Sequence, residues 1–308
     1  MVGPAGAVLP NFLIVGAARA GTTSLYYYLK QHPEIFMSRI KEPRFIFAQF
    51  TRFPTKGVGD GYSNVVQDFH DYCLLFRESS GEKAIGEASP DNLYPYKDAI
   101  PTIKRFLSDP KIIIMLRNPV ERAFSAYMFL VRDRRESLSF EEALDQEDER
   151  IREGWAPIWF YRDAGFYYKP VKAYSEGFSK VKVCLFDDLQ KDPSSLVRDI
   201  YRFLEVDPAF VPDTSTRYNV SGNPRSRMLN DFFIKRSRLQ TITRKVGHTI
   251  LGEDDWVRLR DTLRPKLLRR TELAPGKRRD LEDDYRGDLL RLQDLIGRDL
   301  QSWMSARI

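Results

Sequence analysis

Three clusters of residues have the types and spacing to handle an anion. The first, Gly16-Ala17-Ala18-Arg19-Ala20-Gly21-Thr22-Thr23-Ser24, follows an apolar run at 12–15. A strand that opens through a glycine loop into a helix aims backbone N–H groups at an anion, and the helix dipole favours its charge. The spacing is nearly that of a P-loop, GxxxxGK[ST], but Thr22 stands where the lysine belongs, and the cation is Arg19, three residues earlier. An ATPase needs that lysine on its β- and γ-phosphates. The loop therefore suits a phosphorylated ligand other than a nucleoside triphosphate. The second cluster is Arg117-Asn118-Pro119, at the end of an apolar run, with Ser125 about two helical turns on. The arginine can fork onto a phosphate and the serine can donate to it. A P-loop NTPase places a magnesium-binding aspartate at such a strand end. Here an arginine occupies the position and no such carboxylate is evident, which argues against metal-assisted phosphoryl transfer. The third cluster is Lys41-Glu42-Pro43-Arg44-Phe45, charged residues wedged around a proline as at the turn of a cleft. Taken singly, these read as a capping arginine, a surface serine and an exposed turn.

The elements that must position these clusters alternate short apolar runs with longer helical patterns, which predicts an α/β fold with a mainly parallel sheet flanked by helices. Strands are expected at 12–15, 35–37, 83–86, 111–116 and 181–186. The first helix is expected from Thr22 to Gln31, stopping before His32-Pro33. A second begins near Pro119 with Phe124, Tyr127 and Leu130 on one face. Ser139 with Glu142 forms a capping box for a helix to about Arg152. Asp192-Pro193 opens another, with Leu196, Ile200, Phe203 and Leu204 inward. After about Pro208 the pattern turns polar: a loop at 214–227, basic stretches across 225–279 that read as a solvated face, and an amphipathic helix from about Asp280 to Trp303. Neither an internal repeat nor a low-complexity segment is found.

The 308 residues, 42% apolar and 13% aromatic, are enough for a substantial core. A net charge of +6 fits an anionic ligand and does not by itself indicate nucleic acid. Cys73 and Cys184 have no metal-ligand spacing, and the simpler reading is free thiols in a reducing compartment. MVGPAGAVLP lacks the charged region and long apolar segment of a signal peptide, and no run reaches the ~20 apolar residues of a membrane span. A cytoplasmic protein is expected, in which the sequon Asn219-Val220-Ser221 carries no meaning.

Together the clusters resemble the sulfotransferases that use 3′-phosphoadenosine 5′-phosphosulfate (PAPS), above all bacterial soluble members akin to the heparan-type carbohydrate sulfotransferases. The family's first loop, G-x-x-K-x-G-T-T-x-L, is matched by Gly16 to Leu25 with Arg19 in place of lysine. Its R-[ND]-P-x-x-R-x-x-S-x-Y element is matched by Arg117, Asn118, Pro119, Arg122, Ser125 and Tyr127. Its K-E-x-x-F-F element is matched by Lys41 to Ile46. Gly86-Glu87-Ala88-Ser89-Pro90, Gly165-Phe166-Tyr167, Asp187-Asp188-Leu189 and a closing Leu281, Tyr285, Leu292 and Trp303 follow in order, so the likeness covers about residues 10 to 303. It implies a P-loop-like three-layer fold, one domain over 1–308 with a flexible 1–10, and a cofactor-closing C-terminal part over 209–308.

The resemblance also implies roles. Ala20 to Ser24, with the Thr22 and Thr23 hydroxyls, hold the 5′-phosphate. Arg117 and Ser125 hold the 3′-phosphate, aided by Arg225 in a closing segment at 219–227, and Tyr167 helps place the nucleotide. Arg19 meets the charge that develops on the bridging oxygen, Glu42 takes the acceptor's proton, and Lys41 orients the sulfonate or the acceptor. Glu87, at another strand end, is the rival base. None of His32, His70 and His248 stands in a matching context. Arginine differs from the family's lysine in being bulkier, always charged and unable to lend a proton, so a nucleotide binder with weak catalysis is one alternative. A P-loop kinase or NTPase and an RNA binder are others. The implied reaction uses no metal. The acceptor, a glycan, glycolipid or secondary metabolite, is set by loops at 47–71 and 132–166, whose aromatics suit all three.

Overall fold

Each of the five apolar runs becomes a strand. In the computed structural model, which describes residues 7–60, 65–216, 218, 223–224, 268–269 and 273–304, they are β1 (Phe12–Gly16), β2 (Ile35–Met37), β3 (Ala84–Ala88), β4 (Lys111–Leu116) and β5 (Val181–Leu185). They form one sheet in the order β2-β3-β1-β4-β5, with every neighbouring pair parallel. β1 and β3 are buried along their whole length. That is why β1 reads as an unbroken apolar run, and β3 as one broken only by Glu87, rather than as alternating patterns. Gly86 of β3 lies opposite Phe12; a Cβ there would stand 2.3 Å from the Phe12 ring, so the close approach requires glycine.

The helices are α1 (Thr22–Leu29), α2 (Phe45–Ala48), α3 (Phe69–Leu74), α4 (Tyr96–Leu107), α5 (Pro119–Arg132), α6 (Phe140–Asp145), α7 (Glu147–Arg152), α8 (Tyr168–Gly177), α9 (Phe186–Lys191), α10 (Pro193–Leu204) and α11 (Pro275–Ile296). α1 packs with α10, while α4, α8, α11 and α5 pack in succession. Caps set the boundaries where the sequence predicted them. The Asn118 side chain accepts from the N–H groups of Val120 and Glu121, the Asp192 side chain accepts from Ser195, and Ser139 and Glu142 form the capping box.

Three expectations need correction. The helix expected from Ser139 to Arg152 is two helices, because the backbone turns at Gln146 (φ −82°, ψ −6°). The turn carries Glu147 inward, where its carboxylate accepts from the N–H groups of Arg162 and Asp163, each at 2.7 Å. β3 runs two residues further than predicted, so Glu87 lies within the strand and is fully buried. The last helix begins at Pro275, five residues before the expected Asp280, and ends at Ile296 with Gly297 as its left-handed cap, before a short turn at Gln301–Trp303.

The chain passes from β1 toward β2 and from β4 toward β5, on opposite sides of the sheet. The crevice beyond the carboxyl ends of β1 and β4 is therefore the switch point at which α/β sheets bind ligands. The first and second clusters, which follow β1 and β4, open into it.

Candidate active site

The loop after β1 is a tight left-handed turn. Arg19 has φ +69° and Gly21 φ +90°. A side chain at Gly21 would be strained, and its Cβ would lie 2.8 Å from both Leu189 and Phe186 of α9. The turn brings the start of α1, Thr22 to Ser24, to face a cavity of about 440 Å³. Arg19, Gly21, Thr22, Thr23, Ser24, Glu42, Arg117 and Ser125 all line this cavity. Three stretches far apart in sequence thus meet in one place.

They also touch. Arg19 Nε donates to Ser125 Oγ at 3.3 Å, and Arg117 Nη1 donates to the Arg19 carbonyl at 3.4 Å. The Arg19 guanidinium lies 4.7 Å from the centre of the Phe129 ring, as does that of Arg132. Arg117 is likewise 4.7 Å from the Phe186 ring. Burial, then Arg132, then Arg117 push the Arg19 guanidinium down to about 9. Burial also lowers Arg117, which Glu121 opposes. Cations crowded this closely raise one another's free energy, and an anion among them relieves it. The crowding, the helix N-terminus and the volume together fit a phosphorylated nucleotide.

Glu42 reaches the cavity from a turn in which both Glu42 (φ +60°) and Arg44 (φ +55°) are left-handed. Its carboxylate pairs with Lys41 on one side and Arg44 on the other. Burial works to raise its pKa; the charges of Lys41 and Arg44, with a contribution from Arg19, outweigh that and hold it at about 2. Arg44 also donates from Nε to Asp91 at 2.6 Å, and its backbone N–H donates to Ser89 Oγ at 3.2 Å. Ser89 Oγ in turn donates to Glu87 at 2.7 Å. Burial raises the Glu87 carboxyl to about 7. Glu87 does not line the cavity; it lies beneath the turn that presents Glu42.

Other expected residues sit further out. Ala20 is fully buried and does not line the cavity, and neither does Lys41, whose ammonium turns to Glu42. Tyr167 is buried and donates its hydroxyl to the Arg117 carbonyl at 3.0 Å, so it meets the site through Arg117. Asp288 of α11 accepts from the N–H groups of Tyr167 and Tyr168 at 2.8 and 3.0 Å, fixing the start of α8. Arg122 is buried and donates to the carbonyls of Phe160 and Tyr161, a structural task. The loop expected at 214–227 begins by crossing α1: Tyr28 donates to the Thr216 carbonyl at 2.8 Å, Tyr218 stacks on Tyr27, and the Tyr218 N–H donates to Ser24 Oγ at 3.3 Å. Arg225, residues 219–222 and His248 lie outside the described residues.

The cavity wall also includes Arg44, which the third cluster contained without a role, and residues that sequence reasoning passed over: Asp91, Glu121, Phe129, Arg135 and Phe186. Two signals were available. Asp91 and Phe186 follow the ends of β3 and β5, where an α/β sheet puts its site. Glu121 is four residues from Arg117, just ahead of α5, and one helical turn from Ser125.

Comparison with known proteins agrees with this geometry. A family model described as the sulfotransferase family matches residues 10–210. The crystal structure of a sulfotransferase from Alicyclobacillus acidocaldarius is similar over 96% of this chain and 99% of that one, with a TM-score of 0.75 and 37% identity. Carbohydrate sulfotransferase 15 of Mus musculus is 28% identical over 169 residues, 45% of this chain and 30% of its own length. The bifunctional heparan sulfate N-deacetylase/N-sulfotransferase 4 of Mus musculus is 25% identical over 212 residues, 66% of this chain and 23% of its own length. This chain therefore spans under a third of those two curated relatives. The chain belongs to the sulfotransferase family. Among the described residues no helix is long and apolar enough to cross a membrane.

Proposed function

We propose that the cavity binds PAPS and that the protein moves its sulfuryl group to a hydroxyl or amine of a glycan. Family membership gives the reaction class, and the names of the curated relatives motivate the carbohydrate acceptor. The observation that carries the residue assignment is the contact of Arg19 with Ser125 at 3.3 Å, with Glu42 on the wall of the same cavity. It joins the loop suited to a 5′-phosphate to the helix suited to a 3′-phosphate.

The N–H groups and hydroxyls at Thr22, Thr23 and Ser24 hold the 5′-phosphate at the start of α1. Arg117 and Ser125 hold the 3′-phosphate. Tyr167 fixes the Arg117 backbone, and Arg225, outside the described residues, is kept as the resemblance's second arginine for the 3′-phosphate. Arg19 stands where negative charge grows on the bridging oxygen as the sulfuryl group leaves. Glu42 is ionised at any working pH and accepts the proton of the attacking group. Its ion pairs orient it and also weaken it as a base. An acceptor or sulfonate that draws Lys41 away strengthens Glu42 at the moment it is needed. Glu87, buried beneath the turn, has no path to an acceptor.

The test is transfer of isotopically labelled sulfuryl from PAPS to a panel of desulfated glycans, beside Glu42→Gln. Labelled glycan formed by the wild type and lost in the variant supports the reading. Donor that binds without any transfer to the panel, or transfer that Glu42→Gln leaves intact, counts against it.

A further inference from the structure

An acidic residue stands in the middle of the stripe assigned to the 3′-phosphate. Glu121 lies four residues after Arg117, which precedes the Asn118 cap of α5, and one turn before Ser125, and all three line the cavity. Its Oε2 is 3.6 Å from Arg117 Nη2. Its Oε1 accepts from Arg278 Nη2, at the first turn of α11. Arg278 also lies 3.8 Å from Glu282, one turn further along α11, and does not line the cavity itself. One carboxylate is thus shared between a cation that faces the cavity and a cation outside it.

We infer that Glu121 is a specificity-determining counter-charge: it partly neutralises Arg117 when the site is empty, is left to Arg278 alone when a 3′-phosphate takes Arg117, and so limits how tightly the nucleotide is held. The inference rests on the donor site proposed above. A carboxylate this close to a phosphate dianion repels it, and a fully buried acid would bar it outright. Glu121 is 39% exposed, so solvent softens the repulsion. Arg278 softens it further by holding the carboxylate away from Arg117. The arrangement favours exchange over tight retention, as suits a site that must release its nucleotide product after each turnover.

The probe is 3′-phosphoadenosine 5′-phosphate, with ADP, which lacks the 3′-phosphate, as control. Both are titrated into wild type, Glu121→Gln, Arg278→Gln and the double variant. Glu121 and Arg278 are each more than a third exposed, so neither change opens the core. Glu121→Gln is expected to tighten binding of the 3′-phosphorylated nucleotide about tenfold, the effect of one unit charge a few ångströms away at a partly screened site. Arg278→Gln is expected to weaken it about threefold or more, because Glu121 then competes undivided for Arg117. The double variant should behave like Glu121→Gln, since Arg278 acts through the carboxylate. ADP affinity should move less than about twofold throughout.

Weaker or unchanged binding in Glu121→Gln, or equal shifts for both nucleotides, overturns the inference while the donor site stands. Wild type that does not prefer the 3′-phosphorylated nucleotide over ADP overturns the donor-site reading and the inference together.

Discussion

In the proposed mechanism Arg19 is the residue on which donor chemistry most depends, and its surroundings set what its replacement should do. It occupies a left-handed turn and donates to Ser125, and its guanidinium lies against the Phe129 ring, which Arg132 also meets. Arg19→Ala removes the cation from the place where leaving-group charge develops. The loss of one such group typically lowers kcat by ~10²–10³, or about 2.7–4 kcal/mol. Arg19→Lys keeps the charge, gains a proton to lend, and loses the Nε bond and the planar stack, a contact worth about 0.5–2 kcal/mol. Kinetics with saturating acceptor should show kcat retained or raised in the lysine variant, with the donor KM up to about tenfold higher. The alanine variant should lose at least ~100-fold in kcat. Full activity with alanine would remove Arg19 from the mechanism, and a lysine variant as slow as alanine would show that geometry rather than charge is what Arg19 supplies.

Three further outcomes follow from the same contacts. Glu42→Gln should lower transfer by ~10²–10⁴-fold, the usual worth of a positioned base, while leaving calorimetric nucleotide affinity nearly unchanged; an affinity loss as large as the rate loss would make Glu42 a structural residue. The Glu87 carboxyl is raised from 4.5 to about 7 by burial, so between those values the folded chain keeps a proton that the unfolded chain has lost. Its effect on stability is therefore neutral below pH 4.5 and becomes a penalty, on the order of 3 kcal/mol, as pH rises to 7. Glu87→Gln should then raise Tm at pH 8 and leave it unchanged at pH 4.5, with transfer retained; a Tm gain equal at both pH values contradicts the shift. Asp288→Ala removes a carboxylate that accepts two hydrogen bonds from N–H groups at the start of α8 and should cost about 1.5–3 kcal/mol in urea unfolding, and an unaltered midpoint would mean that α8 is held by packing alone.

Strand positions were legible because a buried parallel sheet writes itself as short apolar runs. Helix starts were legible because Asn118, Ser139 and Asp192 cap with their own side chains. Both are local signals. The break at Gln146 was not legible, because its cause is the pairing of Glu147 with backbone groups fifteen and sixteen residues on. The depth of Glu87 was not legible either: whether a strand-end carboxylate faces a cleft or a core depends on where the strand stops. Arg19, Arg117 and Ser125 stood out by residue type and spacing, Glu42 was assigned its role only through the family resemblance, and the structure brings all four to one cavity. The longer-range partners in the same charge network, Asp91 with Arg44 and Arg278 with Glu121, arise from pairings across the fold that no single stretch of sequence records.

The central claim is that this cavity reads a 3′-phosphate. It is tested most directly by calorimetry of 3′-phosphoadenosine 5′-phosphate beside ADP and ATP, without magnesium. The account predicts tight binding of the 3′-phosphorylated nucleotide with weak ADP and ATP. Equal or stronger binding of ATP, or binding of none of the three, would contradict it.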